Sequence, residues 1–505
     1  MRLLLTLLTK LLKPTQVKVE KMEFTEIKNE EFNLAFETGF TGPSFDLLEP
    51  ATGRSLGTLQ AATASEVAGL VVTAKMAQVK WSAIDFDSKA KILRKFADLL
   101  EQNADLIHSW NARECGSIVP KSQWELQASI DQTHMCAAMT MMPSGEIYPS
   151  NMPGRTNKRV RVPIGVVGVI SPWNFPLLLS LRAVLPAIAM GNAVIIKPDP
   201  QSSITGGLLI QKLLEQAGLP EGIVTVAYGA GDVGAALVDN SDVGMIAFTG
   251  STLVGKEIAA TCGRNLKKTS LELGGNNAFI VLDDADLESA SSCGAWGAFL
   301  HQGQICMQAG RHIVHESKAS DYASALKARA EALYVGNPHS EQCHLGPLIN
   351  SSQADRVMKL INDSVAMGAK VICGGTRDGL KISPTVMIDV TTEMPIFKEE
   401  IFGPVAPIIT FANDQEAVAL ANQAEHGLSA SIHTANTARG NMIADQVDAG
   451  MIHVNDQTVN NEYQVPFGGL KASGDAGRIG GPVNLDEFTT TKWISSMEKG
   501  IVYPF

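Results

Sequence analysis

The chain has 505 residues and a formal net charge of −11 at pH 7, with 45% hydrophobic and 18% charged residues. This length allows two or three domains with sizeable cores, and the composition excludes a disordered or fibrous protein. The negative net charge does not favour binding to nucleic acid or to an acidic membrane, so we expect small-molecule chemistry.

The first residues are rich in leucine. Residues 1–12 carry seven leucines, but Thr6, Thr9 and Lys10 interrupt the run. The segment is too short to span a bilayer, and no small-residue cleavage site follows it. Residues 1–22 are therefore predicted to be an N-terminal extension without stable membrane insertion. A short amphipathic segment, a start upstream of Met22 and a weak surface anchor remain alternative interpretations.

Helical and strand patterns then follow in order. Apolar residues recur at helical spacing over 64–144, and after a break the stretch 158–162 alternates. Over 166–273 short β-branched runs alternate with helical ones, which predicts a parallel sheet wrapped by helices, the doubly wound α/β architecture. A second α/β region covers 278–477. The tail 487–496 alternates like an edge strand, and we expect it to pair with 158–162 in the same subunit or in a neighbour.

The cysteines and histidines do not form a metal-binding or disulfide pattern. Seven cysteines are scattered without a CxxC pair, and ten histidines show no HExxH spacing. The odd, scattered cysteine usage fits a reducing, cytoplasmic setting. His312 and His315 lie three apart in a strand-like run and would point to opposite faces of a sheet. No metal site is predicted.

Two glycine-rich motifs are candidates for binding a nucleotide. GAGDVG at 229–234 matches the dinucleotide fingerprint in form, but its helix is short and no acidic residue ends the next strand at the expected distance. FTGSTLVGK at 248–256 runs from a strand into a helix whose N-terminus offers backbone NH groups to a phosphate. It also approaches a Walker P-loop, but Glu257 stands where a Ser or Thr would hold Mg²⁺. A P-loop nucleotide hydrolase is therefore a distant alternative.

Three side chains carry reactive chemistry. Asn174 lies between two aromatic residues at the end of the first sheet strand, where its amide can donate hydrogen bonds to a ligand. The Cys306 thiol can attack a carbonyl carbon, and the Glu272 carboxylate can take a proton from water. Together, the thiol and the carboxylate would make a covalent acyl-transfer site, although most of the seven thiols are expected to be small buried apolar groups.

Taken in order, these motifs resemble the NAD(P)-dependent aldehyde dehydrogenases. The resemblance runs from about residue 45 to the C-terminus. It rests on PWNFP at 172–176, Lys197, FTGSTLVG at 248–255, LELGG at 271–275, GQIC at 303–306, EEIFGP at 399–404 and PFGG at 466–469. Each motif alone is modest, but seven in register are specific. The runs 161–176, 300–312 and 480–489 look most like the bacterial benzaldehyde (aryl-aldehyde) dehydrogenase branch.

The resemblance implies an aldehyde dehydrogenase fold in three parts. A Rossmann-like parallel-sheet domain for NAD(P) would comprise 23–144 and 164–274. An α/β catalytic domain would comprise 275–477, and a small β oligomerisation element would comprise 145–163 and 478–505. The resemblance also implies a homodimer or a homotetramer.

The resemblance implies a role for each reactive side chain. Cys306 would be the nucleophile, and the Asn174 amide together with the Cys306 backbone NH would form an oxyanion hole. After hydride transfer, Glu272 would activate the water that hydrolyses the thioester. Relatives that pass the acyl group to coenzyme A generally lack this carboxylate, so a free acid is the expected product.

The cofactor implied by the resemblance is NAD, with NADP possible. Pro200 stands where many NAD-specific relatives carry Glu, whereas Asp199 could compensate, so NAD remains the first choice. The residues expected at the cofactor are Lys197 at the adenine ribose, Ser251 at the pyrophosphate, Glu400 at the nicotinamide ribose, Phe402 beside the ring, Trp173 and Leu273 nearby, and Gly231, Gly250 and Gly255 in the glycine turns.

The substrate implied by the resemblance is an aromatic aldehyde, with benzaldehyde oxidised to benzoate. The apolar funnel expected for it comprises Phe175, Leu179, Ile305, Met307 and Phe467. Arg182 and Asn461 stand where several relatives carry aromatic residues. The sequence therefore does not determine which side chains line the outer end of the pocket. An aliphatic or semialdehyde dehydrogenase on the same scaffold is the alternative. A non-catalytic member is disfavoured, because the nucleophile, the base and the amide donor are all present.

Overall fold

The computed structural model describes residues 38–475 and 477–505. The predicted extension, 1–22, lies outside these described residues. Among the helices in the described part of the chain, none combines the length and the apolar character that a membrane span needs.

The first region contains the parallel sheet and the helices that cover it. Its elements are β1 (Ser44–Leu48), β2 (Ser55–Gln60), α1 (Ala64–Ser82), α2 (Phe86–Gln102), α3 (Ala104–Cys115), α4 (Val119–Met139), β3 (Gly145–Tyr148), β4 (Arg155–Pro163), β5 (Val166–Ile170), α5 (Pro176–Ala189), β6 (Ala193–Lys197), α6 (Leu209–Ala217), β7 (Val224–Val226), α7 (Gly231–Asp239), β8 (Val243–Thr249), α8 (Thr252–Arg264) and β9 (Lys268–Glu272).

This region is doubly wound, as predicted. The sheet order is β7-β6-β5-β8-β9, and every neighbouring pair is parallel. Because strand side chains alternate between faces, Val166 packs with Val67 of α1 on one side, whereas Val167 packs with Leu181 of α5 on the other. Helix α1 begins with a capping box, in which the side chains of Thr63 and Glu66 each accept a hydrogen bond from the other's backbone NH.

One helix differs from its prediction. The helical pattern at 205–217 opens as a π-helix at Ile204–Leu208 before α6 begins. The buried Glu114 of α3 accepts hydrogen bonds from the backbone NH groups of Ile204 and Thr205, each at 2.8 Å. This tertiary contact fixes the start of the helix, and a local pattern cannot reveal it.

The second region is also α/β. Its elements, with the tail, are β10 (Ala278–Val281), α9 (Leu287–Phe299), β11 (Arg311–His315), α10 (Ala319–Glu331), α11 (Ser351–Ala366), β12 (Lys370–Cys373), β13 (Arg377–Asp378), β14 (Lys381–Ile382), β15 (Thr385–Ile388), α12 (Pro395–Lys398), β16 (Val405–Phe411), α13 (Asp414–Asn422), β17 (His426–Gly427), β18 (Ser429–His433), α14 (Thr437–Ala444), β19 (Met451–Val454), β20 (Leu470–Lys471), α15 (Asn484–Glu487) and β21 (Thr489–Met497).

A seven-stranded sheet organises this second region. Its order is β12-β15-β16-β11-β10-β18-β19, and only the β12–β15 pair is antiparallel. Residues 273–277 lead directly from β9 of the first sheet into β10 of the second. The ends of both sheets therefore meet at this linker.

The tail pairs with the alternating stretch inside the same chain. Strand β21 is antiparallel to β4, with register pairs from Thr489 and Pro163 to Met497 and Arg155, and β3 forms the other side of the three-stranded sheet. Of the two alternatives for this pairing, the structure contains the one within the subunit. Ile147 and Trp493 leave 75% and 74% of their surface exposed on this sheet.

Candidate active site

The loop that carries Cys306 has an unusual backbone. After α9 it enters a turn at 300–303, where His301, Gln302 and Gly303 have φ values of 50°, 57° and 69°. The left-handed region is unfavourable for residues other than glycine and persists only when surrounding contacts hold it. The buried Gln302 amide provides such contacts, donating to the carbonyls of Gly116 at 3.0 Å and Pro347 at 2.8 Å.

The linker between the two sheets fixes the position of Cys306. The Asn277 amide donates to the Cys306 carbonyl at 2.8 Å and to the Gln308 carbonyl at 2.7 Å. A Cβ atom on Gly275 would collide with the same Cys306 carbonyl, so the close approach requires glycine. The Gly275 backbone NH donates to the Glu400 carboxylate at 2.8 Å. Motifs that are far apart in sequence therefore converge at this linker.

The Cys306 thiol is held neutral in this structure. Burial raises its pKa to about 12, and the carboxylates of Glu400 and Glu272 add to the rise. The Arg182 guanidinium and the Met307 backbone NH act in the opposite direction. The nucleophilic form is the thiolate, so the reaction needs further positive charge or a base beside the sulfur.

Asn174 lies beside the nucleophile loop. Its side-chain amide donates to the Gln304 carbonyl at 2.9 Å, two residues before Cys306. An amide nitrogen carries two hydrogens, so one remains for a ligand. The first turn of α5, which follows Asn174, is anchored by the buried Glu125, whose Oε1 accepts from the backbone NH groups of Leu177 at 2.9 Å and Leu178 at 3.2 Å.

Glu272 ends strand β9 and is only 4% exposed. Its Oε2 is buried without a hydrogen-bond partner in the described part of the chain. Burial holds the pKa of this carboxyl well above its usual range, although the positive charges of Arg182 and Arg478 work against the shift. The carboxylate form is therefore a stronger base than an ordinary glutamate.

The turn after β8 has the features that a phosphate needs. Ser251 caps α8, its Oγ accepting from the Val254 backbone NH at 3.4 Å. Gly255 lies in the first turn, and a Cβ there would collide with the side chain of Leu273. The glycine therefore allows the helix to approach Leu273 closely. Gly250 donates its backbone NH to the Glu272 carbonyl at 3.0 Å, which ties this turn to the site.

Other residues expected at the cofactor surround the same region. The centroids of the Trp173 and Phe402 rings lie 5.5 Å apart, and the rings pack edge to face. The backbone of Phe402 is in the left-handed region, with a φ of 53°. Lys197 ends β6 and is only 7% exposed, and its burial lowers the pKa of the ammonium although Asp199 and Asp232 oppose the shift. Burial raises the pKa of Glu400 to about 7. Gly231 begins α7, where a Cβ would meet open space.

The five residues predicted for the substrate funnel lie in one buried cluster. Its buried members are Phe175, Leu178, Leu179, Ile305, Met307, Leu428, Val459 and Phe467, with Trp124, Ala128, Leu300, Cys306 and Met451 partly buried against them. The Arg182 guanidinium lies 4.2 Å from the centre of the Phe467 ring. Asn461 is half-buried.

Most of the chain matches a known protein family. The model of the aldehyde dehydrogenase family matches residues 38–494, which cover most of the chain. The chain belongs to the aldehyde dehydrogenase family. Membership confirms the resemblance of the seven motifs and rules against the P-loop hydrolase. In agreement, Lys256 of the Walker-like run is 61% exposed and pairs with Glu425 at 2.9 Å.

Relatives and solved structures refine the comparison. This aldehyde dehydrogenase is 52% identical to the NAD(+)-linked benzaldehyde dehydrogenase of Pseudomonas putida, covering 91% of this chain and 94% of the relative. It is 46% identical to a vanillin dehydrogenase of Amycolatopsis sp., with the same coverage. A crystal structure of betaine aldehyde dehydrogenase from Staphylococcus aureus with NAD+ aligns at a TM-score of 0.88 and 28% identity, covering 92% and 93% of the two chains.

Sequence reasoning missed the residues that support this aldehyde dehydrogenase site from outside. Asn277 and Gln302 stand within or beside the recognised motifs, so their amides could have been noted as candidates. Glu125 and Trp124 lie on α4, far from every motif, and no local signal indicates them. The centroids of the Trp124 and Phe175 rings lie 5.8 Å apart, and the two rings pack in an edge-to-face arrangement. In the described part of the chain, no group of three metal-ligating side chains comes together.

Proposed function

We propose that this aldehyde dehydrogenase oxidises an aromatic aldehyde, benzaldehyde or a ring-substituted analogue, to the carboxylic acid with NAD as hydride acceptor. The observation that carries the proposal is the apolar cluster in which Trp124, Phe175 and Phe467 surround the partly buried Cys306. Aromatic rings stabilise one another in edge-to-face and offset contacts, so such a lining suits an aryl substrate. The benzaldehyde and vanillin dehydrogenases among the relatives support the same choice.

The first chemical step belongs to Cys306. After its thiol proton has passed to water, the Cys306 thiolate attacks the aldehyde carbon, the new sulfur–carbon bond replaces the carbon–oxygen π bond, and the carbonyl oxygen becomes the oxyanion of a thiohemiacetal. The second hydrogen on the Asn174 amide and the Cys306 backbone NH would bind this oxyanion. A preorganised donor of this kind typically contributes about 2.7–4 kcal/mol to transition-state stabilisation. The Arg182 guanidinium favours the thiolate, since it lowers the pKa of the thiol.

The residues present fit a nicotinamide dinucleotide. The Lys197 ammonium would bind ribose hydroxyls, the capped start of α8 at Ser251 would bind a phosphate, and Glu400 would bind the second ribose. Trp173 and Phe402 would border the nicotinamide ring. When bound, NAD+ would supply the hydride acceptor and a positive charge beside the Cys306 thiol.

Glu272 completes turnover. Its carboxylate takes a proton from water as the water oxygen bonds to the thioester carbon, and the carbon–sulfur bond then breaks with the electron pair left on Cys306. Burial supports this role, because it raises the pKa of the carboxyl above that of an ordinary glutamate and so makes the carboxylate a stronger base, while the two nearby arginines limit the rise.

The preference for NAD over NADP rests on Asp199. Its carboxylate accepts from the Gln201 backbone NH at 2.9 Å, so it is held near Lys197, where the ribose is expected. A carboxylate accepts from a ribose 2′-hydroxyl and repels a 2′-phosphate. Pro200 offers neither interaction, so we expect NADP to be used more slowly than NAD.

A spectrophotometric screen tests the substrate and the cofactor. The purified protein is assayed with NAD or NADP against benzaldehyde, vanillin, hexanal and succinate semialdehyde, following formation of the reduced nicotinamide. We expect the aryl aldehydes with NAD to give the highest kcat/KM. Equal kcat/KM for hexanal and benzaldehyde would overturn the aromatic assignment.

A semialdehyde is the second candidate, and Arg182 favours it. This buried guanidinium beside Phe467 and Cys306 could pair with the carboxylate of such a substrate. A preference for succinate semialdehyde in the same screen, lost in Arg182→Leu, would replace the aromatic proposal.

We also propose a cytoplasmic homodimer or homotetramer. The seven cysteines are all free thiols, which suits a reducing compartment. Large apolar side chains are exposed on the three-stranded sheet and on α8, including Ile147, Trp493 and Leu253. Light scattering on the eluted protein would give the subunit number, and a monomer would contradict the proposal.

A further inference from the structure

One face of strand β9 carries a polar line from the surface to the active site. Lys268, Ser270 and Glu272 are spaced by two, so their side chains lie on the same face, roughly 6.6 Å apart along the strand. Lys268 is partly exposed, whereas Ser270 and Glu272 are buried. The intervening positions carry Thr269 and the buried Leu271 on the other face.

Three buried oxygens near this line have no hydrogen-bond partner within residues 38–475 and 477–505. They are Glu272 Oε2, Ser270 Oγ and Glu487 Oε1. Ser270 Oγ and Glu487 Oε1 flank the same glycine, because a Cβ on Gly477 would lie 3.6 Å from the first and 3.1 Å from the second. Leaving such groups unpaired is costly, and buried polar groups of this kind are commonly bridged by water.

A cavity of about 10 Å³, room for about one water molecule, borders the middle of the line. Leu179, Arg182, Thr249, Ser270 and Ile479 contribute to its walls. Thr249 is the register partner of Glu272 on the neighbouring strand, so the cavity reaches the immediate surroundings of this carboxylate.

The outer end of the line opens toward solvent. The Glu487 carboxylate lies 3.2 Å from the Lys268 ammonium, and these side chains are 12% and 34% exposed. The other charged groups around Glu272 are Arg182, Arg478 and Asp475. One oxygen of the Asp475 carboxylate, Oδ1, accepts hydrogen bonds from the backbone NH groups of Leu271 and Gly477, at 3.1 and 3.2 Å. Glu487 is thus the carboxylate near Gly477 that has a buried oxygen without a hydrogen-bond partner in the described residues.

We propose that Ser270 and Glu487, with water in the adjoining cavity, form a proton exit that returns Glu272 to its basic form after each hydrolysis. This inference rests on the proposed role of Glu272. The proton that Glu272 takes from the hydrolytic water passes to a cavity water, which passes another proton past the Ser270 hydroxyl to Glu487. Glu487 releases it to bulk solvent beside Lys268. No bond other than O–H bonds forms or breaks in this relay.

The test compares Glu487→Gln with the unaltered full-length protein bound to NAD and supplied with benzaldehyde. We expect the rapid burst of reduced cofactor, one per active site, to persist. Steady-state kcat should fall roughly 10- to 100-fold, less than for loss of a direct general base. Adding imidazole, a small proton carrier, should restore most of kcat, which a merely structural defect would not allow.

A matched control and a second variant sharpen the test. Glu288→Gln removes a surface carboxylate paired with Arg329, far from β9 in the fold, and should leave kcat unchanged. Ser270→Ala should also reduce kcat, and added imidazole should again restore most of it. This variant replaces Glu487→Gln in the test if Glu487→Gln does not fold. An unchanged kcat, or a fall that imidazole does not reverse, would overturn the proton exit.

The failure of this inference is distinguishable from the failure of the proposed function. If Glu272→Gln stalls turnover while both relay variants keep full kcat, the exit is wrong and the role of Glu272 stands. If the unaltered protein oxidises none of the aldehydes, the proposed function itself is wrong.

Discussion

The two sheets contribute to the site by different means. From the parallel sheet, Glu272 and Lys197 are the last residues of β9 and β6, so regular strand geometry sets their positions. From the region of the seven-stranded sheet, Cys306 comes from a loop with three consecutive left-handed residues. The site therefore combines side chains aimed by hydrogen-bonded strands with a nucleophile held by side-chain amides. The predictions below separate these two kinds of support.

The largest effect should come from the loop. Cys306→Ala removes the proposed nucleophile, and we expect kcat for aldehyde oxidation to fall by roughly 10⁴-fold or more. NAD binding, measured by calorimetry, should persist because the phosphate and ribose contacts do not involve the thiol. Measurable oxidation at more than a few per cent of the original rate would mean that another group is the nucleophile.

The second-largest loss of turnover is expected from a change in Glu272, at the end of β9. Glu272→Gln should leave the burst of reduced cofactor but reduce steady-state turnover by roughly 10²- to 10³-fold. Since burial raises the pKa of this carboxyl, its basic form is lost as the pH falls through that value. Turnover of the unaltered protein should therefore decrease toward acid pH, beginning above the usual glutamate value of about 4.3. A pH profile unchanged in the variant would assign the acid limb to another group.

A smaller effect should come from the amides that hold the loop. Asn277→Ala removes donors to the carbonyls of Cys306 and Gln308 and an acceptor for the Ser429 backbone NH. We expect a loss of about 3 kcal/mol in the free energy of unfolding and a roughly tenfold lower kcat. Asn276→Ala is the matched control, since its amide donates to Phe397 instead. It should destabilise the protein but keep kcat, and equal kcat values for both variants would show that the Cys306 carbonyl contact does not position the thiol.

The smallest effect should come from the Walker-like run. Lys256→Ala removes an exposed ion pair with Glu425, and exposed pairs typically contribute less than about 1 kcal/mol. Thermal unfolding and kcat should both be nearly unchanged. A large loss of cofactor binding would show that this lysine reaches the phosphates after all.

The sequence alone predicted the doubly wound sheet, because β-branched runs and helical spacing record burial directly. The predicted alternation over 166–273 also contained the strand that carries Glu272, although its end at Glu272 became known only from the structure. The pairing of β21 with β4 was predicted as one of two alternatives, and the choice between them depended on contacts that no local pattern contains.

Tertiary structure decided how the chemistry is supported. The five apolar residues of the funnel come from three separate stretches, and only the packed fold brings them around Cys306 together with Trp124. Glu125 anchors the helix after Asn174 from a different helix, and Ser270 and Glu487 meet across Gly477. Periodicity shows which face of a helix or strand is buried, but it carries no information about which other buried face packs against it. The reactive residues could thus be named from the sequence, whereas their charges, partners and proton exit depend on the fold.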